Sequence, residues 1–198
     1  FFIARGDESG RRFMTALAER AQDGVEVRFL YDAIGSWTLK TNVLKILTSA
    51  GGMALPFLPL NPLRRRIQIN MRNHRKILVV DGLVAFTGSQ NIIDSTYNKR
   101  ANVRKGLHWK DLMVRFEGPI VAGINALFVT DWYSETDELI SRETTPVRKA
   151  PVRDRVGAQV VPSGPSFEGE NNLRLFNSLL YAAQERIITS VGYHAPPV

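Results

Sequence analysis

The stretch "RNHRKILVVDGLVAFTGSQN", residues 72–91, sets a histidine, a lysine, a serine and an asparagine among strand-forming residues. An imidazole can attack phosphorus and form a covalent intermediate, which splits one hard displacement into two. An ammonium, a hydroxyl and a carboxamide can all donate to phosphoryl oxygens, and such preorganised donors stabilise charge developing in a transition state. His74 is therefore the candidate nucleophile, and Lys76, Ser89 and Asn91 are the candidate phosphate-binding groups.

Strand geometry says how these groups would converge. Side chains alternate faces along a strand, so His74 and Lys76 point the same way. Asp81-Gly82 is a strong two-residue hairpin signal. It predicts Val80 opposite Leu83, Lys76 opposite Thr87, His74 opposite Ser89 and Arg72 opposite Asn91. One face of the hairpin would then carry all four polar groups at the end away from the turn. The plainer reading makes Lys76 a sheet-edge cation and His74 a satisfied polar residue. Four convergent groups favour a site.

Two acids have different expected roles. Asp81 lies some ~16 Å from Lys76 along a strand rising ~3.3 Å per residue, so it serves the turn or an ion pair beyond it. Asp111 opens the next strand in "HWKDLMVRFEG". A carboxylate on the imidazole Nδ1 would fix the tautomer and leave Nε2 free to attack, so Asp111 is the expected third catalytic residue.

The elements that must position these groups alternate along the chain. "GRRFMTALAERAQ" (10–22) spaces Phe13, Leu17 and Ala21 as a helix ending at Gly24, and "VEVRFLYD" (25–32) reads as a strand. A second helix is expected over 37–51, a proline-broken loop over 53–66, and strands over 74–80, 83–89 and 111–118. "PIVAGINALFVTDWYS" (119–134) predicts a helix with Pro119 at its start. A polar linker (134–155) leads to a strand (156–165), a helix (171–185) and a strand (186–194). This alternation predicts an α/β protein, a mixed β-sheet with helices on both faces.

Composition bounds the chemistry. The 198 residues are 44% hydrophobic and include no cysteine, which excludes disulfides, thiolate metal sites and cysteine nucleophiles. A net charge of +7 favours an anionic partner: nucleic acid, anionic lipid or a phosphorylated substrate. The loop "MALPFLPLNPLRRR" is apolar and then basic, as a segment dipping into an anionic interface would be.

"HRKILVVDGLVAFTGSQN" contains H-x-K-x4-D-x6-G-S-x-N without a gap, the signature of the phospholipase D superfamily. The flanks "GVEVRFLYDAIGS", "LPLNPLRRRIQINMRNHRK", "WKDLMVRF", "DWYSE" and "VVPSGP" resemble bacterial cardiolipin synthases over nearly the whole chain. The resemblance implies the phospholipase D fold and a metal-free, cofactor-free transfer in which two phosphatidylglycerols yield cardiolipin and glycerol. By that resemblance His74 is the nucleophile or its acid partner, Lys76, Ser89 and Asn91 hold the phosphate, and Asp111 orients the histidine. It also implies a bacterial cytoplasmic membrane as the place of work.

Members of the superfamily bring two such motifs together, one histidine attacking while the other protonates the leaving group. This chain holds one motif. His108 begins "HWKDLMVR", but Arg115 stands where the aspartate belongs, and His194 is followed by "APPV". The expected organisation is a phospholipase D-like domain over 1–148, with 149–198 a linker and the truncated opening of a second half. The chain is accordingly expected to be a fragment, completed by a second motif-bearing half or by a homodimer. Expected partners are phosphatidylglycerol or another anionic phospholipid and a membrane surface. The alternatives are a homodimeric phosphodiesterase or nuclease, and an inactive half-module that binds anionic lipid or phosphate. Nucleic acid fits less well, because no platform of aromatics alternating with cations is evident.

Overall fold

The computed structural model describes residues 1–59, 72–140, 156–164, 167 and 169–188. The basic stretch 62–66, most of the expected linker and the end of the expected last strand, 189–194, lie outside these residues.

Two groups of strands make up the α/β architecture. β1 (Arg28–Asp32) and β2 (Met53–Phe57) pair in parallel, and β3 (Ile77–Val80), β4 (Val84–Gly88) and β5 (Met113–Glu117) form an antiparallel sheet in that order. Residues 1–5 join the two groups. Phe1 N donates to Leu30 O and Asp32 N to Phe1 O, while Ile92 N donates to Ile3 O and Arg5 N to Ile92 O.

Helices flank the strands, as the sequence predicts, covering both faces of the β1–β2 pair and one face of the antiparallel sheet. α1 (Glu8–Gln22) and α2 (Thr41–Thr48) bury Met14, Val43 and Leu47 with Phe29 of β1. The next residue of that strand, Leu30, points the other way, against Trp132 of α4 (Ile120–Thr136). The same helix seals the antiparallel sheet through Val121 and Ile124 on Ala85, with Ile77, Val79 and Phe116 around them. A short α3 (Arg100–Lys105) and α5 (Asn171–Ala182) complete the order, neither with a buried residue.

Three expectations are corrected. The segment 53–57, expected as loop, is β2. Pro56 is compatible because Met53 N donates to Val27 O, so alternation turns the N–H positions of 53, 55 and 57 toward β1. The missing N–H of Pro56 falls on the open edge. Residues 156–164 form no strand. The third correction concerns the hairpin.

Asp81 (φ 53°) and Gly82 (φ 64°) make the turn as read, closed by Leu83 N to Val80 O at 3.0 Å. Val80, however, pairs with Val84 and Ile77 with Thr87. Leu83 is an extra residue between turn and ladder, a bulge that slides the register by one. A one-residue slip moves side chains to the opposite face. The expected pairings of Lys76 with Thr87 and of His74 with Ser89 therefore do not form, since Thr87 is opposite Ile77. β3 itself starts only at Ile77, and residues 72–76 reach it as irregular chain.

Candidate active site

Because residues 72–76 have no ladder of their own, side-chain contacts hold them. Arg72 enters a buried ion pair with Asp32 at the end of β1, Nη2 lying 3.0 Å and Nε 3.2 Å from Oδ1. That same oxygen accepts from Ile34 N and Gly35 N, so it also caps the turn after β1. Asn73 and Arg75 converge on Asp131 of α4. Asn73 Nδ2 donates to Oδ2 at 2.7 Å, Arg75 Nε to Oδ2 at 3.2 Å and Arg75 Nη2 to Oδ1 at 2.5 Å. Burial pushes the Asp131 carboxyl above the usual carboxylate range, and the Arg75 charge opposes that shift.

With its neighbours anchored, His74 turns to the other side. Its ring lies on Phe2, centroids 3.8 Å apart and planes 24° from parallel. Lys76 Nζ donates to the His74 carbonyl at 2.7 Å and lies 5.8 Å from the Phe2 ring centroid, a cation–π contact. Partial burial, then the Lys76 charge, hold the imidazole below its ordinary pKa, with Asp32 opposing. Burial likewise lowers the Lys76 amine, against the upward pull of Asp111. For His74, burial and the Lys76 charge both favour the neutral imidazole, the form with a free ring nitrogen.

The second part of the site lies where the chain leaves β4 and where it enters β5. Ser89 Oγ donates to Asp111 Oδ1 at 2.7 Å and accepts from Leu112 N at 3.0 Å. Gly88 permits this approach: a Cβ there would stand 2.0 Å from the Leu112 carbonyl oxygen and 2.9 Å from Met113 Cα. The glycine before Ser89 is thus a steric requirement of the strand pairing.

The predicted residues are distributed as follows. His74 and Lys76 share a patch with Phe2, and Ser89 and Asp111 bond to each other. Asp111 acts electrostatically on Lys76. Among the described residues no hydrogen bond joins Asp111 to the His74 ring. Asn91 is buried, accepting from Ile3 N and donating to the Tyr97 hydroxyl, both at 3.0 Å. Its amide ties residues 1–5 to the chain after β4. Asp81 sits in the hairpin turn.

Sequence reasoning missed Phe2, Asp32 and Asp131 as parts of this arrangement. Asp131 had a signal: it is the single charged residue between Pro119 and Glu135, in a stretch apolar enough to be buried. A charge there needs a partner. A cavity of about 570 Å³ opens beside Leu30, Ile77, Val79 and Asp131. Neither His74 nor Lys76 lines it, so it lies off the catalytic candidates.

No family model matches the chain. The curated relatives speak more directly. The chain is similar to cardiolipin synthases over 99% of its length. It is 35% identical over 200 residues to the cardiolipin synthase of Halalkalibacterium halodurans, covering 39% of that protein. It is 35% identical over 199 residues to cardiolipin synthase A of Pseudomonas fluorescens, covering 40% of it, and 37% identical over 198 residues to cardiolipin synthase A of Pseudomonas aeruginosa, covering 39%. The chain thus spans about two fifths of the length of the curated relatives it matches.

Proposed function

We propose that residues 1–148 form the histidine-bearing half of a phosphatidyl transferase of cardiolipin synthase type, with the phospholipase D fold, and that 149–198 open a second half. The similarity to cardiolipin synthases along 99% of the chain carries this reading. The grouping of His74 with Lys76, and of Ser89 with Asp111, supports it.

In this reading the His74 imidazole attacks the phosphorus of one phosphatidylglycerol. The bond from phosphorus to the headgroup glycerol breaks, and a second motif's histidine gives the departing oxygen its proton. The phosphatidyl group now sits on His74. A hydroxyl of a second phosphatidylglycerol attacks the same phosphorus and loses its proton to the second histidine. The histidine–phosphorus bond breaks, and cardiolipin leaves. Lys76 neutralises charge on the non-bridging oxygens and Ser89 donates a hydrogen bond to them, each exchanging its internal hydrogen bond for the phosphate. Asp111 acts on this pair through Ser89 and through its field at Lys76. No metal or cofactor is needed for either displacement.

The second motif comes from a longer chain or from a second copy related by a two-fold axis. The substrate places the reaction at a bacterial membrane surface. Among the described residues no helix is long and apolar enough to cross a membrane.

The test is conversion of labelled phosphatidylglycerol to cardiolipin and glycerol by this chain, alone and with a polypeptide carrying a second motif. A stable phosphatidyl adduct on His74, absent in His74→Ala, supports the reading. Hydrolysis of an oligonucleotide without lipid turnover would replace it by the phosphodiesterase alternative, which the +7 charge favours. Anionic lipid bound without any adduct would leave a half-module.

A further inference from the structure

Residues 99–112, comprising α3 and its connection to β5, form a surface that the core does not use. Between Asp94 and Asp111 the chain has no acid, and it carries Lys99, Arg100, Arg104, Lys105 and Lys110. Every residue from 103 to 112 is exposed. Four of them are large and apolar: Val103 at 61%, Leu107 at 52%, Trp109 at 37% and Leu112 at 71%.

This segment is nevertheless held in place. Asn102 Nδ2 donates to Thr96 O at 2.9 Å and Trp109 N to Ser95 O at 2.7 Å. The His108 Nδ1 and Ser95 Oγ atoms lie 2.7 Å apart, and the Trp109 ring packs on Tyr97 with centroids 5.4 Å apart. Gly106, at φ 61°, ends α3 in the left-handed conformation and turns the chain back. The apolar side chains are therefore presented by a fixed loop rather than left over by a loose one. Leaving such area in water forgoes a favourable burial.

Two properties of the surface select its partner. The cations call for an anionic surface, to which lysine and arginine close to the leaflet are attracted. Leucine, valine and an indole suit the headgroup–acyl boundary, where tryptophan is enriched and basic side chains extend to the phosphates. Single-stranded nucleic acid would use the cations but needs aromatic faces for its bases. Here the one indole is packed on Tyr97, and the other apolar groups are aliphatic.

We infer that residues 99–112 dock the chain on an anionic bilayer. Asp111 and Leu112 both bond to Ser89, so docking brings the headgroups to the edge of the candidate site. The benefit to catalysis rests on the phosphatidyl-transfer reading, whereas the docking itself does not require turnover.

The experiment is co-sedimentation of the full 198-residue chain with phosphatidylcholine vesicles, with and without phosphatidylglycerol. Binding to the anionic vesicles is expected to fall at least tenfold in Arg104→Glu/Lys105→Glu and in Leu107→Ser/Leu112→Ser, with circular dichroism unchanged. A second readout needs no mutation in the surface. In Trp37→Phe, the emission of Trp109 should shift to the blue and be quenched by brominated acyl chains, because Trp132 is buried. Undiminished vesicle binding by both double variants overturns the inference. So does equal binding to neutral vesicles, an oligonucleotide that displaces the vesicles without altering Trp109 emission, or self-association that the variants abolish. Docking without turnover would count against the transferase reading alone, and turnover of vesicle lipid by variants that bind normally would count against the docking alone.

Discussion

His74 lies flat on Phe2, with ring centroids 3.8 Å apart, and Lys76 reaches over the same phenyl ring. The phenyl ring is thus the floor under the two residues expected to do the chemistry. Gly35 sets its position: a Cβ there would stand 2.1 Å from the Phe2 carbonyl oxygen and 2.8 Å from its ring.

Removing that floor should move the imidazole. Burial lowers the His74 pKa, so Phe2→Ala should raise it toward the ordinary value. The acid limb of any His74-dependent activity would then move to higher pH, because protonation silences the nucleophile. Nuclear magnetic resonance titration of the imidazole Cε1 proton reads this directly. An unchanged midpoint in a folded Phe2→Ala would refute the packing argument. Gly35→Ala should shift the midpoint in the same direction.

The Lys76 charge also lowers the His74 pKa, so Lys76→Met should raise it. Asp111 raises the Lys76 pKa, so Asp111→Asn should lower it. The ammonium would then be lost at lower pH, and the alkaline limb of activity would move down. Reductively methylated lysines followed by carbon-13 resonance would show one midpoint falling while exposed lysines hold theirs.

Arg75 and Asp131 form a largely buried pair, with side chains 16% and 5% exposed. Breaking it leaves an uncompensated charge, so Arg75→Met should cost about 3–5 kcal/mol in urea denaturation. Arg75→Met/Asp131→Leu should recover much of that loss, since neither charge then remains buried alone. A double variant no more stable than the single would show that the ion pair was not the source.

Gly88→Ala forces β5 from β4 and separates Asp111 from Ser89. Overpacking of this kind costs roughly 1–3 kcal/mol. Turnover should fall more steeply than stability does, and a variant of normal stability and normal turnover would contradict the steric argument.

Much of the fold was legible because it follows periodicity. The helix at 10–22 and the strand at 25–32 read correctly to within two or three residues at their ends, and Asp81-Gly82 gave the turn. The register was not legible, because nothing in Leu83 announces that it is an extra residue. β2 was hidden by Pro56, whose cost vanishes only at a strand edge. Of the site, the residue types were visible but their assembly was not. Phe2 reaches His74 from the far end of the sequence, and Asp131 reaches Asn73 and Arg75 from α4. Such contacts are tertiary, and single-chain patterning carries no trace of who the partner is.

The histidine segment is anchored on β1 through Arg72 and on α4 through Asn73 and Arg75, and α4 also packs against both groups of strands. Order at the site and integrity of the whole fold are therefore one cooperative event. The Arg75 amide, bonded to Asn73 Oδ1, should exchange its hydrogen only by global unfolding rather than by fraying of the neighbouring strand end. Mild denaturant should accordingly leave the imidazole in its native environment until the protein as a whole gives way.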